Sequence, residues 1–396
     1  MLSEIAKDIW IINTRDWERR LFDELIPLPD GTSYNAYVIK GTKHTVLVDS
    51  SDIRKIDPFL KDLKSLSLEK LDYIVANHAE PDHSGAIPKV LELYPEAKVV
   101  CTEKCKSILV DLLLMDEENF TIVTEESTLD LGDRILSFII APWVHWPETM
   151  FTYLESEKIL FTCDFLGNHI ASSEIFASNN SKVYYAAKRY YAEIMMPFRK
   201  MIKKYIDVLS NLELEMIATS HGLIYNDPDF IIDAYRDWIS DEVKNEVVIP
   251  YVSMYQSTEK MVNYLTDQLI QKGIVVKVFP LTATDIGELA MSLVDTATII
   301  IGSPTVLTGP HPAVVYAAYL ANLIKPKAKY ATVIGSFGWK GSVVDQIVKL
   351  IPKLKLELLN PVIVKGKPRE EDFHRLDQLT EEIVTKHKEL GILKGE

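Results

Sequence analysis

Within the segment NHAEPDHSG, His78, Glu80, Asp82 and His83 fall inside six positions, directly after the apolar run Tyr73 to Ala76. A loop leaving a strand end can turn alternate side chains toward one point, and imidazole with carboxylate is the donor set that suits iron, manganese or zinc. Three further groups follow apolar runs: His145 in APWVHWP, Asp164 in ILFTCDFLG and His221 in MIATSHG. Seven candidate ligands exceed what one tetrahedral ion uses. They suit two ions about 3.5–4 Å apart that share a carboxylate, and Asp164, the single acid leaving its own strand, is the natural bridge. A lone strand-end histidine is more often a core or hydrogen-bonding residue, but here four of the nine histidines lie in these loops. His44, His311, His374 and His387 are read as structural or solvated, and His169, five residues after Asp164, as a neighbour of the ligands.

The elements that must position these groups are short β-rich runs with helices at intervals. From Ile9 to about Gly222, strands are expected at Tyr34 to Ile39, Thr45 to Asp49, Tyr73 to Ala76, Lys98 to Cys101, Ile135 to Ile140, Thr149 to Tyr153, Ile159 to Thr162 and Met216 to Thr219. Helical spacing runs from Tyr184 to about Leu212, and Pro197 should kink or end it. The charged stretch Asp237 to Glu246 marks a boundary, giving domains 1–245 and 246–396. The second domain alternates strand and helix through five units, with strands at Val247 to Val252, Val275 to Phe279, Thr298 to Ile301, Ala331 to Ile334 and Val362 to Val364. Continuous apolar strands such as ATIIIG imply a doubly wound parallel sheet, with ligands at the carboxyl ends of its strands.

Three of those strand ends carry groups suited to a phosphate and a flat ring. The first is SMYQST, with Ser253, Met254, Tyr255, Gln256, Ser257 and Thr258 at the start of a helix, where backbone N–H groups and the helix dipole favour an anion. The second is Ser303, Pro304, Thr305 and Val306. The third is Ser336, Phe337, Gly338, Trp339 and Gly341, where two aromatics stand among glycines. Ser and Thr are also ordinary helix caps, so the signal lies in three such loops meeting at one sheet edge. No G-x-G-x-x-G is present, which disfavours a dinucleotide fold.

The 396 residues are 47% hydrophobic and 25% charged, the composition of a folded chain of two or three domains. With 57 acidic against 43 basic residues the net charge is −14, which disfavours nucleic acid as a partner. The start, MLSEIAKDIW, has no basic-then-apolar leader and no run is long enough for a membrane span, so a cytoplasmic protein is expected. Cys101, Cys105 and Cys163 are read as free thiols. Tyr190 and Tyr191 are candidates to reach the metal pocket.

The combination of HAEPDH, VHWPETMF, FTCDF and TSHG with SMYQST in the second half resembles the flavodiiron proteins, or A-type flavoproteins, over essentially the whole chain. The resemblance implies an N-terminal metallo-β-lactamase-like αββα sandwich with two non-haem irons and a C-terminal flavodoxin-like domain with FMN. Carried over by motif, His78, Glu80 and His145 would hold one iron, Asp82, His83 and His221 the other, and Asp164 would bridge. Glu80 stands where zinc hydrolases of the wider fold usually have a histidine, and its hard oxygen favours iron. The chain departs from the family pattern at Gln256, where Gly is frequent, and at Leu307, where Asn is common. The implied activity is reduction of O2 to water or NO to N2O. Electrons would come from an external donor, rubredoxin or a reduced deazaflavin, with no fused donor domain. The implied assembly is a head-to-tail homodimer, or a dimer of dimers, with the FMN of one subunit facing the diiron site of the other. Two alternatives stand beside it: a dizinc hydrolase with a regulatory second domain, and a noncatalytic electron carrier.

Overall fold

The computed structural model describes residues 1–339 and 343–394. Its backbone forms two compact units, Met1–Tyr191 with Phe198–Ile239, and Ala192–Pro197 with Ser240–Glu396.

The first unit contains β1 (Leu2–Ala6), β2 (Ile9–Asp16), β3 (Leu21–Phe22), β4 (Ile26–Pro27), β5 (Thr32–Lys40), β6 (Thr45–Val48), β7 (Tyr73–Val75), β8 (Lys98–Cys101), β9 (Phe120–Ile122), β10 (Thr128–Asp130), β11 (Ile135–Ile140), β12 (Met150–Leu154), β13 (Ile159–Cys163) and β14 (Met216–Thr219). Its helices are α1 (Ile56–Ser65), α2 (Pro81–Ser84), α3 (Ile87–Leu93), α4 (Glu103–Leu113), α5 (Ser181–Tyr190), α6 (Arg199–Leu209) and α7 (Pro228–Ile239). One sheet runs β1-β2-β5-β6-β7-β8-β9 and the other β10-β11-β12-β13-β14.

Alternation along the strands builds the layers. In β5, Tyr37 and Ile39 join Phe138, Met150 and Phe161 between the two sheets. Ala36 and Val38 point the other way, onto Phe59 and Leu63 of α1, Val90 of α3 and Leu109 of α4. Behind the second sheet, Phe151 packs on Phe165 and on Tyr205 of α6, and Phe165 meets Tyr235 of α7. The result is the expected αββα sandwich. As Pro197 required, the helical run from Ser181 does not continue unbroken. After Tyr190 it widens over Tyr191–Met195, tightens over Met196–Phe198 and resumes as α6.

The second unit contains β15 (Lys244–Tyr251), α8 (Ser257–Gln271), β16 (Val275–Pro280), α9 (Ile286–Leu293), β17 (Thr296–Val306), β18 (Gly309–Pro310), α10 (Pro312–Ile324), β19 (Tyr330–Phe337), α11 (Val343–Leu350), β20 (Glu357–Leu358), β21 (Val362–Lys365) and α12 (Glu370–Glu389). The sheet order is β16-β15-β17-β19-β20, with β21 also beside β19, and these pairings are parallel. This is the doubly wound order in which the chain reverses direction beside its first strand and leaves a crevice at the carboxyl edge. The third strand exceeds its expected end at Ile301. Pro304 and Thr305 stay extended, and β17 turns back on β18 through Leu307 and Thr308, at φ 48° and 72°. Ser303 to Val306 therefore belong to a strand and hairpin rather than to an open loop. Among the described residues no helix is long and apolar enough to cross a membrane.

His387 illustrates how this unit handles a buried base. Asn245 donates its amide to Gly273 O, so its oxygen faces His387 Nδ1 at 2.7 Å and fixes the neutral tautomer, whose Nε2 accepts from Thr298 at 2.8 Å. Burial pushes the imidazole down to about 4. The folded state thus binds fewer protons than the unfolded state between that value and about 6.5. Stability is expected to be complete above this window and lost as pH falls through it. Urea midpoints measured from pH 7 to pH 4 check this: the His387→Gln variant, less stable at pH 7, should show a shallower decline.

Candidate metal centre

Each candidate ligand leaves the end of a buried strand. His78 and Glu80 follow β7, Asp82 and His83 lie in the single turn of α2, His145 sits between β11 and β12, Asp164 follows β13 and His221 follows β14. Pro81 begins α2, and its fixed φ with no N–H suits a first helical position. Gly222, at φ 74°, lets the chain leave His221 against Asn168, where any Cβ would lie 2.0 Å from the Asn168 carbonyl.

The seven side chains meet in two groups around Asp164. Its Oδ2 lies 3.3 Å from His78 Nε2 and 3.2 Å from His145 Nε2, and Glu80 Oε2 lies 3.1 and 3.3 Å from the same two nitrogens. Its Oδ1 lies 3.0 Å from His83 Nε2 and 3.2 Å from His221 Nε2. Asp82 completes that side, at 3.4 Å from His83 Nε2 and 3.1 Å from His221 Nε2. All seven are buried or nearly so. Among the described residues both Asp82 oxygens and His221 Nε2 lack a hydrogen-bond partner despite this proximity. Imidazole nitrogens and carboxylate oxygens that converge in this way, only some of them hydrogen-bonded to one another, are the donor set of cations, and the residues fit two ions.

Charge among these groups runs strongly one way. Burial lowers the His145 imidazole, but hydrogen bonds to Asp164 and Glu80 outweigh it and hold it at about 9. His221 is likewise lowered by burial and then raised by Asp164 and Asp82 to about 10. Burial raises Asp164, yet His83, His145 and His221 hold it well below the usual carboxylate range. A metal ion must displace protons from these imidazoles, so its uptake releases protons.

A family model described as "ODP family beta lactamase" matches residues 32–222. The chain is 36% identical to a nitric oxide reductase of Moorella thermoacetica, across 96% of this chain and 98% of that one. It is 32% identical to a flavo-diiron protein of Clostridium acetobutylicum, across 90% and 92%. The structure of a rubredoxin oxygen:oxidoreductase from Desulfovibrio gigas superposes with a TM-score of 0.95 at 28% identity, across 98% and 99%. The chain belongs to the flavodiiron protein family.

Around the cluster of this flavodiiron protein stand residues that the sequence reading passed over. Glu148, fully buried in the WPET segment, accepts from His78 Nδ1 at 2.7 Å and from the Ala79 amide at 3.1 Å, which leaves His78 Nε2 for the site. It stands three residues beyond His145, but nothing in the sequence told it from a surface acid. Asp49 accepts from the Asn77 backbone and side chain and from Ser220, tying two ligand loops together. Of the two tyrosine candidates, Tyr190 donates to Asp164 Oδ1 at 2.9 Å, whereas Tyr191 packs on Tyr235 and Trp238. Cys101, Cys105 and Cys163 are free and buried.

The strand-end loops expected for the flavin lie in the second unit. Thr258 Oγ1 is 3.3 Å from Ser336 Oγ, which joins the first loop to the third. Ser253 accepts from the Glu259 amide and Ser303 from the His311 amide. Gln256, the residue before α8, makes no side-chain cap, so the Ser257 and Thr258 N–H groups ahead of Glu259 fit an anion. Met254, Tyr255 and Trp339 are exposed, and Ser257, Pro304, Thr305, Val306, Phe337 and Gly338 lie along the same strand ends. Gly341 falls outside the described residues. Gln256 takes φ 66°, a left-handed conformation that glycine adopts at lower cost.

Two outcomes follow from this geometry. Glu148→Ala should weaken iron binding by about 10–100-fold, read by chelator competition on protein with unchanged far-UV circular dichroism. Gln256→Gly should stabilise the protein by up to about 1 kcal/mol, as relief of the left-handed backbone exceeds the entropy of glycine, read as a rise in the urea midpoint.

Proposed function

We propose that this protein is an FMN- and diiron-dependent oxidoreductase that reduces O2, NO or both with electrons from an external donor, rubredoxin or a reduced deazaflavin. The observation that carries the reading is the pair of ligand groups sharing Asp164, with Glu80 supplying an oxygen where hydrolytic zinc sites of this fold supply imidazole. The names borne by relatives, a nitric oxide reductase and a rubredoxin oxygen:oxidoreductase, support the same chemistry.

In this reading residues 1–245 hold the irons and residues 246–396 the flavin. His78, Glu80 and His145 would hold one iron, Asp82, His83 and His221 the other, and Asp164 would be shared between them. Ser253, Ser257, Thr258 and the α8 N-terminus would take the FMN phosphate, with the β17 and β19 ends, including Trp339, offered to the ring; Gly341, also expected there from the sequence, lies outside the described residues. When bound, the irons supply electrons and Lewis acidity to a small diatomic molecule, and FMN supplies them one at a time. The protein's own part is to fix the ligands from rigid strand ends, to hold His78 in one tautomer through Glu148, and to offer the Tyr190 hydroxyl beside the bridging carboxylate. A head-to-tail homodimer, or a dimer of dimers, brings the flavin of one subunit to the irons of the next, and the free thiols suit a cytoplasmic setting.

Anaerobic reduction of the purified protein, followed by separate additions of O2 and NO, tests the reading. Two irons and one FMN per chain are expected, with reoxidation of both by at least one gas. Asp164→Asn should lose iron and slow reoxidation by about a hundredfold or more. Stoichiometric zinc, absent flavin colour and hydrolysis of an ester would overturn the proposal in favour of a dizinc hydrolase. Undiminished turnover by folded Asp164→Asn would favour a simple electron carrier.

A further inference from the structure

One buried imidazole borders the metal ligands without belonging to either group. His169 is 7% exposed. Its ring centroid lies 4.8 Å from that of His221 and 4.8 Å from that of Tyr190, with Phe22 at 5.2 Å. The polar ends of both neighbours meet the same atom: His221 Nε2 is 3.2 Å from Asp164 Oδ1, and the Tyr190 hydroxyl donates to it at 2.9 Å. His169 therefore stands at the edge of the second ligand group, that of Asp82, His83 and His221.

The contacts around Thr32 bear on which ring nitrogen carries the proton. Thr32 Oγ1 is 2.9 Å from His169 Nδ1, 3.4 Å from the Ser33 carbonyl and 3.5 Å from His221 Nδ1. His221 Nδ1 already donates to the Ser33 carbonyl at 2.9 Å. Given to the nearest of these acceptors, His169 Nδ1, the single hydroxyl proton leaves a neutral ring's own proton on Nε2. With Nδ1 anchored to Thr32, the Nε2 edge is turned away from β5. Nε2 is buried and has no hydrogen-bond partner among the described residues. A buried N–H donor with no acceptor is unfavourable and rare in folded proteins. This one is held between two aromatic rings whose other ends touch the shared carboxylate.

We infer that His169 is a substrate-contacting residue, whose Nε2–H donates a hydrogen bond to the small molecule held at the Asp82, His83 and His221 position. The inference rests on the functional reading above and adds a residue to it. His169 positions no metal. It gives the second group a fixed donor where negative charge develops on a reduced diatomic molecule, and such preorganised donors favour that charge.

Azide, a small linear anion, probes the donor independently of turnover. It is titrated optically into the full-length, oxidised, iron-loaded protein, with iron counted in every sample and NO and O2 turnover measured in parallel. His169→Phe, which fills the space and removes the donor, should keep its iron and weaken azide binding by about 10–100-fold, the range for hydrogen bonds to charged groups. His169→Gln, which returns an amide N–H, should recover most of that loss. Should the phenylalanine variant not fold, His169→Met gives the same apolar comparison. Unchanged azide affinity in an iron-loaded apolar variant would overturn the inference, as would equal weakening in the glutamine variant, which would mark a packing role. If the wild-type protein itself takes up no iron, the functional reading fails first; if it binds iron and azide and the variants match it, only the role of His169 fails.

Discussion

The constraint on which the rest of the first unit depends is charge. Glu80, Asp82 and Asp164 bring three carboxylates among four imidazoles at oxygen-to-nitrogen distances of 3.0–3.4 Å. Two like charges about 4 Å apart repel by about 4 kcal/mol at an effective dielectric of about 20, so three buried carboxylates need positive charge between them. Protons on the imidazoles provide part of it, which is why burial fails to keep His145 and His221 neutral. Two divalent ions provide more, and at the points where unshared lone pairs already converge. The preference for metal is thus built into the arrangement of these side chains, and folding and metal binding are thermodynamically linked.

Holding such a cluster open demands a rigid surround, and the sandwich supplies it in two ways. The first is buried acids that do not face the site. Asp49 spans the loops after β7 and β14, and Glu148 fixes His78 from the loop before β12. Each is tolerable in the interior because it accepts at least two hydrogen bonds. The second is unusual backbone. Trp143, Cys163 and Leu166 take φ of 68°, 50° and 67° next to His145 and Asp164. Left-handed non-glycine residues cost on the order of 1–3 kcal/mol each and persist where surrounding contacts over-determine them. Their placement beside ligands indicates that the fold spends stability to aim these side chains.

What could be read from the amino acids and what could not divides along the same line. The convergence of the seven candidate ligands was legible because His78, Glu80, Asp82 and His83 follow one apolar strand with a spacing that core packing does not require, and because His145, Asp164 and His221 repeat the strand-then-ligand pattern. The layers were legible from period-two alternation, as in β5. Glu148 and Asp49 were not, since an acid that braces a loop looks like any other acid until the chain folds. Tyr190 and Tyr191 are adjacent and alike, and only the widened turn after Tyr190 separates the one that reaches Asp164 from the one that packs on Trp238. The third strand of the second unit runs past its expected end at Ile301 and carries Pro304 in its pairing with β19. At a sheet margin its missing N–H is no loss.

The two units also differ in where their recognition resides, and this explains why one was the more legible. A metal site is written in side chains: removing the imidazole or carboxylate removes the ligand, so residue type and spacing carry the information. An anion at a helix N-terminus is held largely by backbone N–H groups, which every residue but proline possesses. What the sequence must then encode is conformation, at Gln256 in the turn before α8 and at Leu307 and Thr308 in the β17–β18 hairpin, all three with positive φ. Asn or Gly would adopt that backbone at lower cost, yet Gln and Leu reach the same geometry, so the loop shape survives a change of residue that a metal site would not survive. At Gln256 and Leu307 a substitution that keeps the backbone conformation therefore alters stability more than an anion site made of N–H groups, whereas loss of any of the seven candidate ligands would remove a donor outright.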